Sequence, residues 1–130
     1  MTNVVMRFIQ PRYETFLETT TALENSLDAL CKNPSNKMLS KSRFLFSSTV
    51  RAWAGIELVR FGPVTENNRF ERILFYPDRK STGLKQVQRI LIQSDESAVH
   101  LERLPQKSVA VQGLGALEYV LFGNGSDSLR

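Results

Sequence analysis

The residues of this sequence that could do chemistry are two carboxylates, each set in an apolar helical stripe. Val111, Leu114, Glu118 and Leu121 follow one another at steps of three, four and three, which places them on one helical face. Glu57 repeats the pattern on a second stripe, after Leu39, Phe46, Val50 and Trp53. A carboxylate in an apolar stripe is costly unless something pairs with it. If both point into one bundle, they could hold a divalent metal, although bundle metal sites usually add histidines or further carboxylates. They could also share a proton, with one pKa raised. The alternative is that each pairs with an arginine. Arg60 lies one turn from Glu57, and Arg43, Arg51, Arg69 and Arg72 are the other candidates. A buried, arginine-paired Glu118 would make Glu118→Gln cost about 3–5 kcal/mol. A desolvated ligand-site carboxylate would leave stability equal or higher after the same change.

Gly113 and Gly115 lie in the same run as Glu118, and each costs about 1 kcal/mol relative to alanine inside a helix. A dinucleotide loop does not fit them, because no strand precedes and no third glycine follows. Close packing of a bulky neighbour such as Trp53 is the better reading, and Trp53 itself is expected in the core. The single cysteine, Cys31, lies near Leu27 and Leu30 and reads as a buried structural thiol. His100, the single histidine, reads as a surface or half-buried residue. Tight zinc is not expected, since such sites take four ligands, or three with a water, and commonly use nitrogen or sulfur. No His-Glu-x-x-His and no nucleophile elbow occur.

Helices must position these groups. The spacing predicts a first helix over 3–32, with a seam of Phe16, Thr20, Leu23, Leu27 and Leu30. Pro11 should kink it or mark its start. Asn33-Pro34-Ser35 breaks it, and a second helix is predicted over 35–61, ended by Phe61-Gly62-Pro63. Residues 62–82 read as irregular, with Ile73–Tyr76 a tucked loop or helical turn. A short helix over 83–92 follows, then one at 96–104 capped from Ser94–Ser97, and a last one over 106–122 that Gly123 stops. The expected fold is all-α, an up-and-down four-helix bundle with one broken connection.

The chain has 130 residues, the size of one domain, and its 42% hydrophobic content suits an ordinary core. The net charge of +4 comes from 17 basic and 13 acidic residues of interspersed sign, with no basic tail, so a nucleic-acid partner is not expected. No apolar run reaches the length of a transmembrane segment. Met1–Met6 lacks the basic start and long apolar middle of a signal peptide.

Gly113-Leu-Gly115-Ala-Leu-Glu118 resembles the Gly-x-His-x-x-Glu signature of the imelysin family, with Gly115 at the histidine position, which it fills with space for water or a ligand. Trp53-Ala-Gly-Ile-Glu57-Leu-Val-Arg60-Phe-Gly62-Pro63 is similar to an upstream block of that family. So are Asn68-Arg69 through Phe75-Tyr-Pro77-Asp78, and Gly83-Leu-Lys-Gln-Val-Gln88, in the family's order. The resemblance implies one half of a two-bundle helical fold, with the bundle over 1–123 and a flexible tail over 124–130. It implies a non-catalytic module of the periplasm or cell envelope, connected with iron uptake, that binds a metal, a metal complex or a small ligand. The ligand-binding residues it implies are Glu57, Arg60, Gly113, Gly115 and Glu118, with Glu118 and Glu57 as metal ligands and a divalent metal or iron as the cofactor. Two other readings are a metallopeptidase domain and a structural half-module. The absent motif histidine weighs against the first. The second would pair with a second imelysin-like bundle or form a homodimer, because an exposed apolar face promotes association.

Overall fold

A computed structural model describes residues 2–130 and is all-helical, with no strand among the described residues. The all-α expectation therefore holds. The chain forms two compact units, Met1–Arg60 with Asn124–Arg130, and Phe61–Gly123.

The first unit is built on a helical hairpin. Helix α1 spans Gln10–Lys32 and continues upstream through one wide π turn over Val5–Ile9. The wide turn adjoins Pro11, which has no N–H to offer the normal ladder; Gln10 N–H instead reaches back to the Val5 carbonyl. Pro34 separates α1 from helix α2, Asn36–Ala54, whose N-terminus is capped by the Ser35 hydroxyl accepting from Met38 N–H at 3.2 Å. Helix α1 buries Leu23, Ser26 and Leu30, and α2 buries Leu39, Ser42, Phe46, Thr49 and Trp53, spaced three and four apart. Ser26 and Thr49 thus sit where Leu27 and Val50 were expected, and those two are half-buried. Small side chains let the helix backbones approach, and the Ser26 and Ser42 hydroxyls satisfy each other at 2.8 Å. Trp53 is in the core as expected, with its ring 5.4 Å from that of Phe16.

Three sequence expectations are corrected in this unit. Helix α2 stops at Ala54, not near Phe61. Both Ile56 and Glu57 N–H then bond to the Trp53 carbonyl at 2.9 Å, and the tightened turn buries Ile56, leaving Glu57 half-buried on a turn and off any helical stripe. Cys31 is exposed, because Leu30 occupies the seam and the next residue rotates about 100° away from it. In the segment after Gly123, Ser126–Leu129 forms a tight turn. Arg43 donates to the Ser126 hydroxyl at 3.0 Å and to Asp127 at 3.2 Å.

The second unit has shorter elements. After turns over Gly62–Asn68 come helix α3, Arg69–Ile73, helix α4, Thr82–Gln93, and helix α5, Gly113–Phe122. Ile73 ends α3, and Leu74–Tyr76 leaves it as a loop, with Leu74 extended. The helices expected at 96–104 and 106–122 are not continuous. Tight single turns occupy Glu96–Val99, Leu104–Gln106 and Val109–Val111, and only Gly113–Phe122 is α-helical. Short polar side chains start two of these turns: Asp95 caps Glu96–Val99, accepting from Ser97 N–H at 3.0 Å, and Ser108 caps Val109–Val111, accepting from Ala110 N–H at 3.2 Å.

Asp95 also clasps the ends of its loop. Lys107 Nζ lies 2.8 Å from Oδ2 and the Ser97 hydroxyl donates to Oδ1 at 2.6 Å; Lys107 foremost, then Ser97, holds the carboxyl down to about 2. A carboxylate depressed in the folded state stabilises fully above its unfolded value and loses that contribution as pH falls through its folded one. Wild-type stability, followed by chemical denaturation, should therefore fall between about pH 4 and pH 2 more steeply than that of Asp95→Asn. Parallel curves would contradict the clasp.

Candidate functional site

The site grows from the start of α4. Ser81 at its N-cap position has a left-handed backbone and makes no side-chain cap bond. Asp78 performs that role from three residues upstream: Oδ1 accepts from Gly83 N–H at 2.9 Å and Oδ2 from Leu84 N–H at 3.1 Å. These two bonds, that to Gly83 first, hold the Asp78 carboxyl below the ordinary range, so it is ionised at neutral pH. Gly83 is buried against the Val109–Val111 turn, where a Cβ would lie 2.9 Å from the Ala110 carbonyl oxygen. Helix α4 therefore seats on that turn at its glycine.

Helix α5 is placed by Gly113. Gln112 before it is extended, and Gly113 has φ +69°, a backbone open to glycine and strained for other residues. Its Cα faces the Arg72 and Ile73 carbonyl oxygens so closely that an added Cβ would overlap both. The neighbour that requires the glycine is thus the backbone ending α3. Arg72 is engaged in turn, donating to the Pro105 carbonyl at 3.0 Å. Gln112 is buried and donates to the Lys107 carbonyl at 2.9 Å. The Gln88 amide reaches the Tyr119 hydroxyl at 3.4 Å, linking α4 to α5.

These placements leave a cleft of about 610 Å³ within the second unit. One wall is the segment Leu74–Asp78, another is Leu84 and Val87 of α4, and α5 supplies Gly115, Glu118, Tyr119 and Phe122. Those four positions follow the i, i+3, i+4, i+7 pattern of one helical face. At Gly115 a Cβ would meet nothing within 4 Å, so this glycine opens onto space.

Glu118 is also corrected. It is exposed, and among the described residues it carries no hydrogen bond or ion pair, with arginine or otherwise. The stripe expected from Val111 is interrupted at Gln112–Gly113; Leu114 and Leu121 are buried, while Glu118 between them fronts the cleft. Arg43 and Arg69 are drawn to Asp127 and to Glu66. Glu57 and Arg60 belong to the first unit, where Arg60 Nε donates to the Glu57 main-chain carbonyl at 3.4 Å. His100 is half exposed, 3.9 Å from Glu102, and lies outside the cleft lining. No group of three or more His, Cys, Asp or Glu side chains suited to a metal occurs among the described residues. Asp78, Tyr119 and Phe122 line the cleft but are not among the site residues expected from the sequence; the helical spacing from Gly115 points to the last two.

The fold defines an all-α protein whose Gly-x-Gly-x-x-Glu helix opens onto an apolar cleft. Residues 9–130 match the family model for imelysin, peptidase M75, and the chain belongs to the imelysin family. Neither the curated proteins nor the solved structures yield a match.

The two glycines of the motif should respond oppositely to one substitution. Gly113→Ala should destabilise by at least about 2 kcal/mol, combining left-handed strain with overlap on the α3 carbonyls. Gly115→Ala should be neutral or stabilise by up to about 1 kcal/mol. Glu118→Gln, exposed and without an ion partner, should stay within about 0.5 kcal/mol of wild type. Denaturant unfolding checks all three, and equal losses at Gly113 and Gly115 would contradict the assignment.

Proposed function

We propose that the chain is a non-catalytic, ligand-binding imelysin module of the cell envelope, acting in connection with iron uptake, with the cleft on α5 as its binding site. The observation that carries this reading is Gly115: where the family signature has histidine, this chain has open space inside an apolar cleft. A cleft of this size and lining suits a small organic molecule, or a metal already held in a complex. A bare ion suits it poorly. Asp78 already serves the α4 N-terminus, which leaves Glu118 as the one unengaged carboxylate of the lining. The metallopeptidase alternative needs about three protein donors and a water on a metal, and the lining contains no histidine or cysteine. The envelope location and the link to iron rest on family membership. No helix of the described residues is long and apolar enough to cross a membrane.

Neutral indole tests the cleft directly. In heteronuclear NMR of the labelled chain, millimolar indole should shift the amides of Gly83, Gly115 and Gly123 together. Gly115→Phe, which fills the space, should abolish those shifts while leaving the rest of the spectrum in place. Shifts scattered over the surface, or none, would contradict the reading.

A further inference from the structure

We propose that the cleft selects an organic cation, an amine or guanidinium carried on an apolar or aromatic body. This rests on the cleft being the ligand site and adds the chemistry of what enters it. Both carboxylate-bearing residues of the lining, Asp78 and Glu118, are acidic, and no lysine, arginine or histidine lines the cleft. The chain as a whole carries +4, so the negative lining runs against the overall charge. The two carboxylates are not equivalent. Asp78 is held ionised by the Gly83 and Leu84 amides and supplies a fixed field, with both oxygens committed. Glu118 has no partner among the described residues and is available to accept hydrogen bonds from a ligand. Lys85, close enough to Asp78 to influence it, stands outside the lining.

The remaining walls suit the same ligand. Phe75, Tyr76, Tyr119 and Phe122 present aromatic surface beside the carboxylates, and Leu84 and Val87 complete an apolar floor. Aromatic faces attract cations as well as covering apolar bodies. A charge-assisted hydrogen bond from an ammonium or guanidinium to Glu118 would orient the ligand. An anionic ligand of the same shape would lose water only to face two like charges, which discriminates against it.

Three probes that share the indole ring and differ in the charge of a short side chain test this: tryptamine, 3-ethylindole and indole-3-propionate, titrated by NMR at neutral pH and low salt. Tryptamine should bind at least about tenfold more tightly than indole-3-propionate, with 3-ethylindole between them. Glu118→Gln should remove most of that spread while changing the affinity for 3-ethylindole by less than about twofold. Added salt should narrow the spread in wild type, which decides the matter even if the variant fails to fold. Equal affinities, or tightest binding of the acid, would overturn the cation preference and leave the cleft as a ligand site. If none of the three binds, both the preference and the site fall.

Discussion

The approach of Gly113 to the last turn of α3 governs the geometry of the second unit. Two main-chain carbonyls, those of Arg72 and Ile73, occupy the place where any side chain at 113 would begin. With φ at +69°, the chain turns out of the extended Gln112 and enters α5 in a fixed direction. That direction presents Gly115, Glu118, Tyr119 and Phe122 to the cleft. The opposite wall depends on a second polar device, the Asp78 carboxylate over the start of α4. Both devices act on backbone groups, so the cleft is framed by main chain and its side chains are left to determine what it accepts.

The first unit follows a different logic. Its hairpin is held by an apolar seam in which Ser26, Ser42 and Thr49 replace larger residues. These positions are nearly inaccessible, and their hydroxyls are satisfied locally, Ser26 and Ser42 by each other and Thr49 by the Leu45 carbonyl at 2.9 Å. A buried hydroxyl with a partner costs little and allows closer packing than leucine would. Trp53 fills the end of the seam, and the helix ends directly after it.

The long helices were legible because their patterns are local. The breaks at Pro34 and the seam residues Leu23, Leu30, Leu39, Phe46 and Trp53 follow from period and proline chemistry alone. The site was less legible because it depends on where helices fail to continue. Nothing in the apolar spacing of residues 106–122 reports that Gly113 adopts a left-handed backbone; that requirement arises from α3, forty residues upstream in sequence. Leu114 and Leu121 take the buried positions of α5, and Glu118 stands with Gly115, Tyr119 and Phe122 on its open face. Glu57 was misplaced for the same reason, since the turn after Ala54 gives the core position to Ile56. Asp78 was visible as part of a motif, but its bonds to residues five and six positions ahead depend on the intervening turn.

The central claim is that position 115 faces open, solvent-accessible space within the folded chain. A thiol placed there by Gly115→Cys tests it, with the exposed Cys31 as the reference in the same molecule. The rate of alkylation at each site, by a small neutral reagent under native conditions, is read by mass spectrometry of the digested protein. The thiol introduced at position 115 should react within about tenfold of the rate at Cys31, and millimolar tryptamine should slow it without affecting Cys31. A thiol at 115 that stays unreactive until the protein is unfolded would contradict the cleft and the function built on it.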